Sequence, residues 1–296
     1  MEQLKLIVLQ ESQRLALQDV AIRSNTIIRP GVIIGGIWMI LNSENYHGIE
    51  ANKSYWSVSA YKQFDKCEAC GLASIRGQYE REETDSLLIG SYVDAYFSET
   101  MDEFVGEHSD TMFTKKGTLY AKYETANRCI NAVECQPLML DYLTGDKQVI
   151  MTAELFDVPW KIKMDVYNGD RIVDLKCVKD FEPIYKEGAG RVSWIEYWGY
   201  DIQGAIYQRV EQLSSGRDKP LPFYIVAVTK EKTPDFDVIQ IPQHTLDTAL
   251  RIVEAKIDRF DLVKMGMIPA ARCERCEYCK QTKILTAPNI YEPGEV

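Results

Sequence analysis

The sequence predicts an α/β fold in which a central sheet is flanked by helices, and three observations support this prediction. Three short β-rich runs follow one another between about residues 147 and 178, and an Asn168-Gly169 hairpin signal joins the last two. Amphipathic helical patterns lie before and after these runs. One more apolar strand pattern, LPFYIVAVTKE, separates the last two helices. The order helix, meander, helix, strand, helix is typical of an α/β sandwich.

The composition is that of a globular protein. Its 296 residues are 46% hydrophobic and 26% charged, which is enough for one large domain or two small ones with a buried core. We expect an N-terminal extension of unknown role over residues 1–45, followed by a single domain over residues 46–296 that carries a C-terminal cysteine cluster.

Charge and hydropathy narrow the class of protein. No apolar run approaches the roughly 20 residues of a membrane helix, and the first residues lack the features of a secretory signal. We therefore expect a cytoplasmic protein that has no membrane partner. The formal net charge of -10 argues against broad attraction to phosphate, so binding of nucleic acid would need a local positive groove or a bound metal.

Two helical patterns precede the strands. The first is expected to begin at Ser57 or Ser59, either of which could act as the N-cap, and to carry Cys67. The second is expected over residues 86–105, with Asp94 near the edge of its apolar face. Both would pack an apolar stripe against the sheet.

The strands QVIMTAELF, WKIKMDVYN and RIVDLKCVK follow these helices. After them, SWIEYWGYDIQGAIYQRVEQL reads as one long amphipathic helix, and TLDTALRIVEAKIDRFDLVKMG reads as another beyond the apolar strand.

Acidic and basic residues on the second and third strands form the candidate active site. Side chains alternate across a strand, so Asp174 and Lys176 share one face. A hairpin centred on residues 168–170 would bring Asp165 close to Asp174. Such carboxylates can hold Mg²⁺ or Mn²⁺, and the lysine can orient the attacking water or stabilise the transition state of phosphodiester hydrolysis. Glu154, on the preceding strand, is a candidate further ligand or base.

An acidic residue two positions before a lysine is not specific by itself. The pattern occurs a second time at Glu254-Ala255-Lys256, in a helical context with no upstream partner. Asp174 and Lys176 alone could be an ordinary surface pair on a strand. The upstream Asp165, the apolar IVDL context and the hairpin favour an active site.

The pattern KMD, then about nine residues, then IVDLK resembles the PD-(D/E)xK nuclease superfamily, and in particular its RecB-like and RecE-like exonuclease branches of phages and prophages. The resemblance covers about residues 40 to 285. It implies a restriction-endonuclease-like core, in which helices flank a central mixed β-sheet, and a DNA exonuclease that depends on Mg²⁺ or Mn²⁺.

Family members also place Gln-x-x-x-Tyr on the helix after the lysine strand, and Gln203 and Tyr207 match this motif. Positions four apart share a helix face, so both side chains can reach toward the site. Asp94 stands where family members commonly carry a metal-ligating histidine. The resemblance therefore implies a metal site made of Asp94, Asp165 and Asp174.

The same resemblance implies a biological setting. It predicts processing of double-stranded DNA ends in phage-type homologous recombination, a single-strand annealing protein as partner, and a homo-oligomer. A catalytically inactive DNA-binding or assembly module with the nuclease fold is the alternative, and it would bind DNA without metal and without cleavage. A different metal-assisted hydrolase, or a redox protein centred on the cysteines, is a third hypothesis.

Three cysteines near the C-terminus, Cys273, Cys276 and Cys279, form C-x-x-C-x-x-C and need a fourth ligand. In iron–sulfur members of the RecB-like nucleases, one cysteine on the first helix joins three near the C-terminus around a [4Fe-4S] cluster. Cys67 matches that position, and Cys70 is a nearby alternative. The close spacing of the last two cysteines departs from the pattern, so zinc and free thiols stay open beside the cluster.

Overall fold

The computed structural model describes residues 39–288, so residues 1–38 of the predicted extension lie outside the described part. The helices of the described part are α1 (Ile49–Ser54), α2 (Val58–Lys66), α3 (Glu68–Ile75), α4 (Asp85–Phe97), α5 (Met101–Met112), a 3₁₀ turn (Ala121–Tyr123), α6 (Glu124–Glu134), α7 (Pro137–Tyr142), α8 (Trp194–Trp198), α9 (Tyr200–Ser215), α10 (Gln243–Lys264) and α11 (Glu277–Gln281). None of these helices combines the length and the apolar character needed to cross a membrane.

The strands are β1 (Asp146–Leu155), β2 (Val158–Tyr167), β3 (Ile172–Val178), β4 (Ile184–Lys186), β5 (Gly190–Val192), β6 (Phe223–Thr229) and β7 (Phe236–Gln240). Five of them form one sheet in the order β1-β2-β3-β6-β7, and β4 and β5 form a separate hairpin. The β3–β6 pairing is parallel, while β1–β2, β2–β3 and β6–β7 are antiparallel. The predicted mixed sheet flanked by helices is confirmed, and β3 lies at its centre.

Apolar side chains of the sheet pack against helices on both faces. On one face, residues such as Ile172 and Phe223 join α2, α9 and α10 in the larger core. On the other face, Leu175 and Val226 join α4, α6 and α7 in a second core. Successive residues of one strand therefore pack in different cores. Because helices cover both faces of the sheet, a polar side chain on β3 lies beneath helices on either face.

The predicted first helix is interrupted at Cys67. Ser57 caps α2, because its hydroxyl accepts a hydrogen bond from the N–H of Ala60. At Cys67 the backbone is extended, with φ -166° and ψ 109°, and this residue separates α2 from α3. Cys67 thus lies at a helix junction instead of on a helix, because the chain turns there toward the C-terminal cysteines.

Two other helical predictions also require correction at their ends. The long helix expected after β5 is split into α8 and α9 at Gly199, whose φ of +63° is readily adopted by glycine. The helix expected over residues 86–105 ends at Phe97, and Glu99 adopts a φ of +61° before α5 begins. Local periodicity continues across both breaks, so it does not reveal them.

The described part of the predicted extension, residues 39–45, contacts the domain. Leu41 is buried together with Tyr46, Tyr55 and Ile150 of β1 in a small apolar cluster. The division of the chain after residue 45 stays a prediction.

Candidate active site

Asp174 and Lys176 form an ion pair on the central strand. The carboxylate of Asp174 is only 1% exposed, and its Oδ2 lies 2.7 Å from Nζ of Lys176. Leu175, between them, packs in the core on the opposite face of the sheet. The two charged side chains therefore lie on the face that α2 and α9 cover, as strand alternation predicts.

The hairpin between β2 and β3 places Asp165 beside this pair. Val166 pairs with Val173 in the antiparallel ladder, so the next position on each strand brings Asp165 next to Asp174. Oδ2 of Asp165 accepts a hydrogen bond of 2.9 Å from the N–H of Leu175. This bond fixes one oxygen of Asp165 against β3.

Helix α9 brings an amide onto the same carboxylate. Gln203 is buried, and its Nε2 donates to Oδ1 of Asp174 at 2.6 Å. Its Oε1 accepts a 3.4 Å hydrogen bond from Nζ of Lys62 on α2. Tyr207, one turn further along α9, donates its hydroxyl to the backbone carbonyl of Lys163 at 2.9 Å. Gln203 therefore contacts the acidic pair directly, whereas Tyr207 anchors α9 to β2.

Lys62 is a site residue that the sequence did not single out. It lies on α2, far from the strand motif in the chain, and nothing in the pattern VSAYKQFDK distinguishes it from a solvated lysine.

Asp94 reaches the site from the other side through two polar residues. Its Oδ1 accepts a 3.4 Å hydrogen bond from the hydroxyl of Ser98, which in turn accepts a 2.8 Å bond from Nε2 of Gln148. Gln148, on β1, has a φ of +52°. The residues before and after it in the chain pair with Val166 and Met164 of β2. Gln148 thus lies across from Asp165. Its role could not be predicted, because the strand pattern carries no sign of this backbone distortion.

The charges of the site influence one another strongly. Burial raises the pKa of Asp174 to about 7, with Lys176 opposing the shift and Asp165 adding to it. Burial and the charge of Asp165 likewise raise the pKa of Asp94 to about 7. Burial lowers the pKa of Lys62 to about 7, and the charge of Lys176 lowers it further.

Lys176 itself shows the opposite balance. Burial acts to lower its pKa, but the charges of Asp174 and Asp165 outweigh burial and raise the pKa above its ordinary value. Lys176 therefore stays protonated among the carboxylates. A further cation would reduce the repulsion between those carboxylates.

The carboxylates fit a divalent cation by their chemistry, although they do not close around one point. Within residues 39–288, the four-cysteine group is the only set of three or more His, Cys, Asp or Glu ligand atoms that lie within 4.8 Å of one another. Oδ2 of Asp174 is buried, and its polar partner is the ammonium of Lys176. Asp174, Asp165 and Asp94 lie close enough for their charges to interact, and carboxylate oxygens are the ligands that Mg²⁺ and Mn²⁺ prefer.

The prediction that Glu154 is a further ligand or base is wrong. Glu154 is exposed and pairs with Pro159 at the far end of the β1–β2 ladder. It lies six residues along β1 from Gln148, a separation of about 20 Å in an extended strand. Strand order alone suggested proximity, but the register carries Glu154 to the opposite end of the sheet.

The four predicted cysteine ligands come together. Sγ atoms of Cys67, Cys273, Cys276 and Cys279 all lie within 4.8 Å of one another. Sγ of Cys279 is 3.6 Å from that of Cys67 and 4.0 Å from that of Cys273. Cys70 is buried nearby and accepts a 3.8 Å hydrogen bond from Gln63, but it is not a member of the set.

Backbone and ionic contacts hold the cysteine set in place. N–H groups of Cys276 and Cys279 donate to the sulfurs of Cys273 and Cys276, at 3.3 and 3.5 Å. Burial acts to raise the pKa of Cys273, but backbone N–H donors outweigh it and lower that pKa to about 6. Glu68, next to Cys67, binds Arg259 at 2.7 Å and accepts the N–H of Ala271 at 2.7 Å. The two distant segments are therefore joined beside the thiols.

The chain is similar to a protein family and to a solved structure. Residues 57–282 match the profile of a family described as "PDDEXK-like domain of unknown function (DUF3799)". A crystal structure from Eubacterium rectale, named "Putative exonuclease", is 40% identical, with a TM-score of 0.80, and the match covers 85% of this chain and 97% of that chain. The structure of SSO0001 is 12% identical over 75% of this chain and 91% of that chain, with a TM-score of 0.28 that carries no argument. No curated protein is similar enough to count as a match.

Proposed function

The chain belongs to the PDDEXK-like domain family and is a nuclease by fold, and on that premise we propose that it is a divalent-metal-dependent DNA exonuclease. One observation carries the proposal: a buried carboxylate, Asp174, is held between the ammonium of Lys176 and the amide of Gln203, with Asp165 beside it. This is the set of groups that hydrolysis of a phosphodiester by water requires.

Each residue has a chemical role in this proposal. Asp165 and Asp174 would hold Mg²⁺ or Mn²⁺ together with Asp94, and the bound metal would polarise the phosphate and lower the pKa of water. Lys176 keeps its proton, so it can donate hydrogen bonds to the attacking water or to the phosphate oxygens as negative charge develops. Gln203 keeps the Asp174 carboxylate in one orientation.

The substrate and setting are the finer part of the proposal. The 40% identical relative carries the name "Putative exonuclease", which supports our proposal of action at DNA ends. Processing of double-stranded ends in phage-type recombination, with a single-strand annealing protein as partner and a homo-oligomeric assembly, is the setting we propose. The catalytically inactive module is less well supported, because Asp165, Asp174 and Lys176 are all retained.

Digestion of three labelled DNA substrates tests this function. We expect the protein to degrade end-labelled linear duplex DNA in Mg²⁺ and to leave circular duplex intact, with single-stranded DNA as the third substrate. Asp174→Ala and Lys176→Ala should each reduce the rate by about 10³-fold or more. Glu254→Ala is the matched control, since Glu254 holds the place of Asp174 in the other acidic-x-Lys pattern and is exposed on α10.

Undiminished cleavage by both active-site variants would refute the assignment. Cleavage of circular duplex would refute the exonuclease part alone. Metal-independent binding without any cleavage would favour the inactive DNA-binding module.

We propose that the cysteine set binds zinc. Four thiolates around one tetrahedral zinc, with Zn–S bonds of about 2.3 Å, lie about 3.8 Å apart. Two of the separations, 3.6 and 4.0 Å, are close to this value, and all of them are within 4.8 Å. A [4Fe-4S] cluster attaches each thiolate to a different iron atom and needs wider spacing, so the geometry favours zinc over the iron–sulfur alternative.

Metal analysis of the purified protein distinguishes the two. We expect about one zinc ion per chain and little iron. Iron bound in excess of zinc, with an absorbance shoulder near roughly 400 nm after anaerobic purification, would establish the cluster instead.

A further inference from the structure

Alternating cationic and aromatic side chains lead from the active site to the protein surface. Nζ of Lys176 lies 5.5 Å from the ring centre of Tyr200, and Nζ of Lys62 lies 5.0 Å from the same ring. Nζ of Lys66 lies 5.7 Å from the ring centre of Trp198. Lys62 and Lys66 are four residues apart on α2 and share one face of the helix. We call these five side chains the cation–aromatic row.

The break between α8 and α9 positions the two aromatic residues of the row. Trp198 and Tyr200 flank Gly199, whose left-handed conformation ends α8 and precedes α9. A Cβ at Gly199 would lie 3.3 Å from Cε of Lys62, so the junction packs closely against α2. Tyr200 is half-buried at the inner end of the row, whereas Trp198 is 44% exposed at the outer end.

The surroundings of the row carry positive charge in a protein whose net charge is -10. Arg81 lies close enough to Lys66 to act against its protonation, together with burial. Asp65, the acidic neighbour of Lys66 on α2, is bound by Lys256 at 2.5 Å. Glu196, on α8, lies 4.0 Å from Lys186. The acidic residues that act on Lys62 are Asp174, which Lys176 pairs, and Asp201, which is partly buried.

The exposed Trp198, beside Lys66, has no role in the packing of either core. Trp198 contacts Tyr197 edge-on at 4.9 Å and is not a member of the buried clusters of the described residues. Proteins that hold single-stranded nucleic acid combine lysines along the phosphate backbone with aromatic rings on which bases stack. A duplex presents phosphates to such a surface but keeps its base faces covered by its own stacking.

We propose that the cation–aromatic row binds a single strand of DNA that leads into the active site, with Trp198 stacked on an unpaired base and Lys62 and Lys66 on the phosphates. This proposal rests on the nuclease function proposed above and specifies how its substrate is held. It also accounts for how an acidic protein can bind a polyanion, because the positive charge is concentrated where the strand passes.

Binding of a fluorescent oligothymidylate of about twelve nucleotides, followed by anisotropy, tests the row. The measurement is made without added divalent metal, and a denaturing gel confirms that the oligonucleotide stays intact. Trp198→Ala should bind about ten-fold more weakly than the natural protein, and Trp198→Phe should retain most of the affinity. The logarithm of the binding constant falls linearly with the logarithm of the salt concentration, and Lys66→Ala should make this slope less steep by about 0.7. Phe236→Ala removes another partly exposed aromatic, on the outer strand β7, and should have no effect.

Equal binding by Trp198→Ala and Phe236→Ala would overturn the proposal. The proposal would also be overturned if Trp198→Ala weakened the binding of a blunt duplex by the same factor as the binding of the oligothymidylate. Trp198 would then not be selective for unpaired bases. Thermal unfolding of each variant excludes loss of fold as the cause. Because binding is measured without cleavage, a protein that binds through Trp198 but never cleaves would refute the nuclease function and leave the row intact.

Discussion

The carboxylate site and the cysteine set of this protein differ in how completely their ligand atoms converge. The four thiols lie within 4.8 Å of one another, whereas no three carboxylates of the described residues do so. Carboxylates repel one another and burial raises the pKa of Asp94 and Asp174, whereas backbone N–H donors stabilise charge on the sulfur of Cys273. A structural metal is surrounded completely by protein ligands, as the four cysteines would allow. A catalytic metal needs an incomplete set of protein ligands, so that substrate and water can bind to it.

The two regions also differ in the scaffold that carries them. Asp165 and Asp174 lie on adjacent strands of the central sheet, joined by a short hairpin. Cys67 and the C-terminal cysteines come from segments at opposite ends of the domain. Removing a cysteine should therefore affect stability, and removing a group of the carboxylate site should affect activity.

The largest expected effect concerns the cysteine set. Cys279→Ser should lower the free energy of unfolding by about 3 kcal/mol or more, because a buried ligand of the proposed metal would be lost. For a domain of this size, the melting temperature should fall by about 10 °C. Thermal unfolding by circular dichroism measures this, with Cys135→Ser as control, since Cys135 is exposed and outside the set. Equal melting temperatures of the two variants would contradict a structural metal.

Gln203→Ala tests whether the carboxylate site controls activity more than stability. The change removes the donor that orients Asp174, so kcat should fall about 10- to 100-fold while KM changes little. Gln208→Ala is a matched control on the same helix, because Gln208 is also buried but donates to the carbonyl of Leu221 at 2.6 Å. Gln208→Ala should lower stability and leave kcat intact; equal losses of kcat would show that Gln203 acts only through the fold.

Asp94→Ala should change the metal requirement more than the fold. The concentration of Mg²⁺ that gives half-maximal activity should rise about ten-fold, as expected when one metal ligand or its support is lost. Asp85→Ala, at the start of the same helix, removes a carboxylate that binds Lys122 and Tyr123 instead. A titration with the same midpoint for both variants would exclude Asp94 from the metal site.

Glu154→Ala should have the smallest effect. Since Glu154 is exposed and lies about 20 Å along β1 from the site, activity should change by less than about two-fold. A loss as large as that of Gln203→Ala would mean that the far end of the β1–β2 ladder takes part in the reaction.

The sequence was most informative where function depends on residues close together in the chain. Strand alternation placed Asp174 and Lys176 on one face, and the Asn-Gly turn brought Asp165 beside them. The four-residue spacing put Gln203 and Tyr207 on one face of α9, although only Gln203 contacts the acidic pair.

Long-range geometry could not be predicted in the same way. Lys62, Ser98 and Gln148 reach the site from three separate elements, and each looks like an ordinary polar residue in its local pattern. The misplacement of Glu154 has the same cause, because strand order says nothing about register. The breaks at Cys67 and Gly199 depend on tertiary packing that periodicity does not record.

The wide separation of the cysteines in the chain has a consequence for the timing of synthesis. Cys67 and Cys279 are 212 residues apart. A ribosome that adds about 5 to 20 residues per second exposes Cys67 for roughly 10 to 40 seconds before Cys279 follows. The thiol set can assemble only after nearly the whole domain has left the ribosome. Loading of the proposed metal would therefore be the last step of maturation, and a chain that ended before Cys279 would lack the complete thiol set.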